Sequence, residues 1–254
     1  MPLCLILVPE PCEILSVQTS FQFLAPIENC GYLPDQMARM EYEHVSELTA
    51  DEYAARMMAG WRRFGHTLFR PRCPRCQACR SLRVKVDRFS PNRCQRRARK
   101  ANEGAVQLQV GPPRVSRARL DLYQRFHDHR ARTRGWDKRE ESPNSYHSAF
   151  VSNPFPTEEW SYTLDGVLVG VGLVDSLPVG LSAIYFVHDP DHHRRGLGTW
   201  NVLCLIDEAR RRGLPHLYLG YWVADCLSLA YKSSFRPFEI LGPDGNWYPG
   251  HGQE

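Results

Sequence analysis

The stretch from residue 160 to 241 constrains the fold more than any other part of the chain. Residues 160–164 and 167–174 are apolar, β-prone runs. They meet at Asp165-Gly166, a dipeptide suited to a two-residue hairpin because both positions tolerate positive φ. Residues 181–187 form a third strand, broken by Asp189-Pro190. Residues 196–212 read as a helix with Leu203, Ile206 and Ala209 turned inward. Three arginines stand at its C-terminal end, where cations suit the helix dipole, and Gly213-Leu-Pro215 stops it. Residues 216–222 give another strand, 227–232 a short helix and 235–241 a last strand. A helix between two strands of one sheet is a βαβ crossover, so the expectation is an α+β core with one parallel strand pair.

This order is similar to the acyltransferase architecture known as the GNAT fold. Its signature turn resembles His193-Arg-Arg-Gly-Leu-Gly198, which follows a strand and opens a helix. Glycines there let the backbone approach a ligand, and free amides at a helix start favour an anion. GNAT enzymes hold the pyrophosphate of coenzyme A on such a turn, with Gln or Arg where this chain has His193. The plain alternative is a tight turn with no ligand.

The first half differs in character. It is rich in Arg and Cys and broken by Pro, and residues 1–140 are expected to form a smaller domain ahead of a catalytic one at 141–254. Thr49-Ala-Asp-Glu52 is a capping box. It opens a helix with Tyr53, Met57, Trp61 and Phe64 at helical spacing, ended by Gly65. A second helix is expected from residue 116 to about 134, with Leu120, Tyr123 and Phe126 on one side. Residues 135–156 are polar and read as a linker or surface loop. Arg and Lys are dense between Arg62 and Arg139, as in the run from Arg96 to Lys100. That density suits either a solvated face or a surface for RNA phosphates.

Composition removes several classes. With 43% hydrophobic and 24% charged residues in 254, the chain is neither disordered nor fibrous. No apolar run approaches the roughly 20 residues that span a bilayer. The start, MPLCLILVPEPCEIL, lacks a leading cation, so it reads as an ordinary terminus and the cytoplasm as the expected compartment. Neither Gly-x-Ser-x-Gly nor His-Glu-x-x-His occurs, which leaves serine hydrolase and zincin readings without support.

Nine cysteines are an odd number, and Cys73, Cys76 and Cys79 carry two overlapping C-x-x-C spacings. Such spacing lets thiolates converge on one zinc ion or an iron–sulfur cluster. The fourth ligand is left open among Cys30, Cys94, His66 and none. The alternative is a set of free, half-buried thiols. Cys4, Cys12, Cys204 and Cys226 read as small core residues.

Several strings in fixed order resemble the arginyl-tRNA–protein transferase family, in particular its bacterial branch, the aspartate/glutamate leucyltransferases. They are Cys30-Gly-Tyr-Leu33, Gly60-Trp-Arg-Arg-Phe-Gly65, Arg70-Pro followed by Cys73, Cys76 and Cys79, Tyr185 with His188-Asp-Pro190, Leu197-Gly-Thr199, Tyr218-Leu-Gly-Tyr-Trp222, and Tyr231-Lys232 with Phe235-Arg-Pro237 and Glu239. The match runs from about Phe21 to Leu241. The resemblance implies a Cys-bearing N-terminal part and a GNAT-like C-terminal part. It implies transfer of leucine from leucyl-tRNA to the α-amine of proteins that begin with Asp or Glu, marking them for the N-degron degradation route. Eukaryotic relatives transfer arginine, and their N-terminal cysteines are associated with metal or iron–sulfur binding. The chain departs from the pattern at Gly196, at Ser228-Leu229 where a Lys-Met pair is usual, and at Leu33 where eukaryotic members carry a cysteine.

The implied reaction needs no cofactor, because the ester of a charged tRNA is already activated. It needs a cation for the acidic first side chain, for which Arg62, Arg63, Arg80 and Arg236 are candidates. It needs a cleft for the tRNA end, where Tyr221, Trp222, Tyr231 and Lys232 are expected to stack on the terminal adenine or meet a phosphate. It needs a proton acceptor, for which Asp189 and His193 are candidates, with Tyr221 and Tyr231 also placed at the reacting centre. Each has a structural alternative: an ion pair for the arginines, core packing for Trp222 and a turn cap for Asp189. Two rival functions stand beside this one. One is an N-acetyltransferase using acetyl-CoA on the turn from Arg194 to Gly198. The other is a non-enzymatic zinc and RNA-binding module.

Overall fold

The fold is that of a computed structural model, which describes residues 19–138 and 142–250. The N-terminal stretch read above as an ordinary terminus, with Cys4 and Cys12, lies outside the described residues. In chain order the elements are β1 (Thr19–Leu24), β2 (Glu28–Asn29), β3 (Met37–Ala38), β4 (Met40–Val45), α1 (Ala50–Met58), β5 (Arg62–Phe64), β6 (Thr67–Pro71), β7 (Arg80–Lys85), α2 (Arg93–Asn102), β8 (Val106–Gly111), α3 (Arg117–Arg134) and α4 (Pro143–Tyr146). A π-helical turn (His147–Val151) follows, then β9 (Thr157–Leu164), β10 (Val167–Leu177) and β11 (Gly180–His188). A 3-10 turn (Pro190–Arg195) leads to α5 (Leu197–Arg211), β12 (His216–Trp222) and α6 (Leu227–Ala230). A second 3-10 turn (Tyr231–Ser234), β13 (Phe238–Leu241) and β14 (Trp247–Pro249) complete the order.

An eight-stranded mixed sheet organises the protein, in the order β14-β13-β7-β12-β11-β10-β9-β8. Its one parallel pair is β11 with β12, bridged by α5 as the crossover helix. The β9–β10 turn has positive φ at both Asp165 (50°) and Gly166 (79°), the geometry this dipeptide favours. One face of the sheet packs α5 onto Leu82, Val84, Trp160, Val169 and Leu217, and α2 lies against α5. The other packs α3 and the π-helical turn onto Val171, Leu173 and Val187. The β10 register breaks between Leu168 and Gly170, which turns Val169 to one face and Val171 and Leu173 to the other, so this one strand feeds both cores. Leu203, Ile206 and Ala209 of α5 are fully buried. A four-stranded sheet, β1-β4-β6-β5, packs with α1 around Val45, Tyr53, Met57 and Leu68 against Leu177 and Tyr218.

Three sequence expectations change. The capping box at Thr49 and Glu52 is present, but α1 ends at Met58 and not at Gly65. Gly60 takes φ 89° and turns the chain into β5, so Trp61 and Phe64 leave the helix they were spaced for. Gly65 (φ 51°) instead makes the β5–β6 hairpin, where a Cβ would sit 2.1 Å from the Ser148 carbonyl oxygen. The large sheet also crosses the expected boundary at 140. β7 inserts between β12 and β13, and β8 forms the far edge. The stretch 135–156 holds α4 and the π-helical turn, with Tyr146 and Phe150 buried.

Among the described residues no helix is long and apolar enough to cross a membrane.

Candidate active site at the splayed strands

β11 and β12 pair only at Leu181 with Leu217 and Ser182 with Tyr218. Beyond that point the two parallel strands part, and the β12 register against β7 breaks between Tyr218 and Tyr221, where Gly220 takes φ 73°. The gap is spanned by rings from the smaller sheet. Tyr185 of β11 meets Phe64 of β5 at 5.8 Å, Phe64 meets Phe69 of β6 at 5.4 Å, and Phe69 meets Tyr221 of β12 at 6.3 Å. This aromatic row joins one diverging strand to the other. Phe64 is 38% exposed within it, so the row offers ring surface to a ligand. The Tyr221 hydroxyl lies 2.9 Å from the Gly60 carbonyl and 3.1 Å from that of Phe69, so its proton is committed to the smaller sheet. Burial holds the phenol well above its ordinary value.

Two cations sit at the β12 end. The Lys232 ammonium donates to the Tyr221 carbonyl at 2.5 Å. Burial, then the charge on Arg62, lowers its pKa to about 7. Arg62 is buried beside the Tyr221 ring, 5.7 Å from its centroid. Its Nη1 donates to the Trp61 and Met57 carbonyls at 2.5 and 3.2 Å. Its Nε and Nη2 are buried without a hydrogen-bond partner, and no described carboxylate pairs with it. A guanidinium so placed is expensive unless an anion completes it. Desolvation accordingly lowers the Arg62 pKa.

The other candidates are placed differently. Arg63 is held by Asp175 in a two-pronged ion pair, 2.6 and 2.9 Å, with both side chains fully buried. It also donates to Asn153 and Thr157, so it ties β5 to β9 and β10 and has no face for a substrate. Arg80 donates to the Leu241 carbonyl at 3.2 Å, and exposed Arg236 leans on the Ser233 carbonyl at 3.4 Å. Trp222 packs on the central core, 6.4 Å from the Phe238 ring, as its core-packing alternative has it. Asp189 is 4% exposed, accepts from the Asp191 amide at 3.0 Å and pairs with Arg125 at 3.0 Å. It caps the turn after β11, and both oxygens are engaged. His193 is exposed on that turn. Tyr231 stands 51% exposed on the second 3-10 turn, within electrostatic range of Arg130. The geometry therefore gathers Arg62, Tyr221 and Lys232 and leaves Arg63, Arg80, Arg236, Trp222, Asp189 and His193 in other surroundings.

Phe64, Phe69 and Tyr185 belong to the same place, and sequence reasoning gave them no role there. Phe64 was hidden by its helical spacing from Tyr53. The usable signal was Gly65 between two short β-prone strings, which marks a hairpin. Two surface clefts open nearby, one along Ser46, Leu48, Pro113 and Phe155, the other along His44, His66 and His147 and sharing Phe64 with the aromatic row. Neither includes Arg62, Tyr221 or Lys232.

Cys30, Cys73, Cys76 and Cys79 are half-buried free thiols, and Cys94 is an exposed one. Burial pushes the Cys79 thiol up to about 12, with Cys30, Cys73, Cys76 and Cys226 near enough to add to the shift. Cys226, read above as core filler, thus shares this neighbourhood. His66 is turned away, bonded to the Val45 carbonyl at 2.9 Å and to Ser152 at 3.1 Å. Among the described residues no three His, Cys, Asp or Glu side chains are grouped to hold a metal ion.

Two sequence profiles match the chain. The one described as "Arginine-tRNA-protein transferase, N terminus" covers residues 28–97, and the C-terminus profile covers residues 118–242. Both are profiles of transferases, and the protein is one. The chain belongs to the arginine-tRNA–protein transferase family. Its relatives include the aspartate/glutamate leucyltransferase of Halorhodospira halophila, 39% identical over 85% of this chain and 92% of that protein. The protein of the same description from Marinobacter nauticus is 38% identical over 91% of this chain and 97% of its own length. That of Helicobacter hepaticus is 34% identical over 87% and 91%.

Proposed function

We propose that the protein moves leucine from leucyl-tRNA to the N-terminal amine of proteins that begin with Asp or Glu. The observation that carries this reading is the buried Arg62 guanidinium, with two unpaired nitrogens, beside Lys232 and Tyr221 where β11 and β12 part. The names of the relatives supply the donor and acceptor classes. The diverging parallel pair with α5 between its strands supports the GNAT-like reading of the C-terminal part. The cysteines grouped around Cys79 support that of a Cys-rich N-terminal part. The cytoplasm, where charged tRNA is made and used, is the compartment that goes with the reaction.

The chemistry is aminolysis of an ester. The neutral acceptor amine attacks the leucyl carbonyl carbon, and neutral Lys232 takes the proton that the attacking nitrogen then sheds. The new amide C–N bond forms as the ester C–O bond breaks, and the ribose oxygen leaves with the proton that Lys232 returns. Lys232 fits this duty better than a phosphate contact, because it faces inward and its pKa of about 7 leaves a large neutral fraction at neutral pH. Arg62 binds the acidic first side chain through Nε and Nη2, an edge that suits the two oxygens of a carboxylate. The aromatic row from Tyr185 to Tyr221 receives the leucyl side chain and the terminal base. Holding ester and amine together can supply about 7–11 kcal/mol of the barrier.

No cofactor enters any of these steps. A zinc ion or iron–sulfur cluster at Cys30, Cys73, Cys76 and Cys79 would be structural, and chelation would act on stability before it acted on transfer.

The test compares peptides beginning with Asp, Glu and Ala. The wild-type protein prefers the acidic pair. Arg62→Gln lowers kcat/KM for those two about 10- to 100-fold, the worth of a hydrogen bond to a charged group, and leaves the Ala peptide nearly unchanged. The ratio between peptides is insensitive to lost folded protein. An unaltered preference for Asp and Glu in the variant would contradict the assignment.

A further inference from the structure

α2 carries Arg93, Arg96, Arg97 and Lys100 at positions i, i+3, i+4 and i+7, which is one face of a helix. All four are exposed, and none forms an ion pair with a described carboxylate. The opposite face, Gln95, Ala98 and Asn102, is buried. The arrangement is poor electrostatics for a helix. Arg93 and Arg96 stand in the first turn, where the dipole disfavours cations, and no acidic residue offsets them there. The spacing places like charges side by side. A capping box of Asn92 and Gln95 holds the helix start in spite of this.

The position of α2 gives the stripe a direction. At its N-terminal end the Gln95 side-chain amide donates to the Ser234 carbonyl at 3.1 Å, on the turn that carries Tyr231 and Lys232. At its C-terminal end Asn102 donates to the Arg195 carbonyl at 2.8 Å, and the Arg195 side chain donates to the Ala101 carbonyl at 2.6 Å. The turn that carries Arg195 follows β11. So α2 is tied to both turns that follow the two parting strands, and exposed Arg194 adds a fifth cation on one of them.

We infer that the outer face of α2, with Arg194, is the surface on which the phosphates of the tRNA acceptor arm rest while its 3′ end enters between β11 and β12. The inference rests on the reading of a charged tRNA as donor. Four cations at one-turn spacing match a polyanion's backbone and read no base. They also explain why a helix keeps charges that work against its own stability.

Binding of leucyl-tRNA by the full-length protein at several salt concentrations tests this. R93Q/R96Q and R93Q/R96Q/R97Q/K100Q are compared with wild type and with R117Q/R211Q, which removes two exposed cations elsewhere. The quadruple variant weakens binding about 30- to 100-fold at moderate salt and flattens the dependence of log K on log salt by roughly one unit per lost contact. Its Tm stays level, because losing the first-turn cations and the like-charge spacing offsets losing Lys100 from the last turn. R117Q/R211Q binds like wild type. The inference is overturned if the quadruple variant keeps wild-type affinity and slope, if R117Q/R211Q loses as much as R93Q/R96Q, or if lost affinity comes with a lowered Tm. A wild-type protein that binds tRNA through this stripe yet passes no leucine to an Asp-initiated peptide overturns the reading of function instead.

Discussion

Replacing Lys232 with Met lowers kcat/KM for leucyl transfer by about 10²–10⁴, the usual worth of a positioned proton acceptor. The side chain is held by its bond to the Tyr221 carbonyl and by burial, so Met fills similar volume without the nitrogen. The pH profile separates this role from a packing role. The acceptor's α-amine has an ordinary pKa near 7.7–8.0 and must be neutral to attack. Lys232 must also be neutral to take the proton, and burial, then Arg62, brings it to about 7. Below pH 7 the logarithm of kcat/KM therefore rises with a slope of two in the wild type. In Lys232→Met only the substrate amine remains, and the slope is one. Equal slopes in both proteins would remove Lys232 from the proton path. The same shift has a sign for stability. The fold disfavours the charged lysine, so between about pH 7 and the ordinary lysine value the unfolded chain binds more protons, and the folded protein gains stability as pH rises through that window.

Asp175→Ala costs about 3–5 kcal/mol of folding stability, because it leaves the Arg63 guanidinium buried and unpaired. For a chain of this size that is a fall in Tm of roughly 6–20 °C. The ion pair crosses between the two sheets, and Thr157, Asn153 and the Gly65 carbonyl close the remaining hydrogen bonds. Arg63→Met combined with Asp175→Ala recovers much of the loss, since the pair then leaves together. The cycle is read by thermal or denaturant unfolding. A double variant no more stable than the single one would show that the network does more than neutralise Arg63. Arg62, one residue earlier, shows the contrast: it is equally buried but has no carboxylate.

How these neighbours differ was not legible in the sequence. Arg62 and Arg63 are adjacent and chemically alike, and what separates them is Asp175, 112 residues away. The strands of the second half were legible because period-two patterning and an Asp-Gly turn are local signals, and 216–222 matches β12 residue for residue. β7 was not legible. It pairs with β12 and β13, both more than 120 residues later in the chain, so nothing near it announces the sheet it joins. The spacing of Trp61 and Phe64 runs α1 on in error, because they keep a helical period after Gly60 has already turned the chain. The same error hid the hairpin that brings Phe64 and Phe69 to the gap between β11 and β12. Of the candidate site, Tyr221 and Lys232 were marked by their strings, but the inward aim of Lys232 depends on where Arg62 and the cysteines come to lie.

The central claim is tested most directly by offering the purified protein one labelled donor at a time, leucyl-tRNA, arginyl-tRNA or acetyl-CoA, with a peptide that begins with Asp. The account predicts label on the peptide's α-amine from leucyl-tRNA, little from arginyl-tRNA and none from acetyl-CoA. Label arriving from acetyl-CoA, or from arginyl-tRNA in preference to leucyl-tRNA, would contradict it.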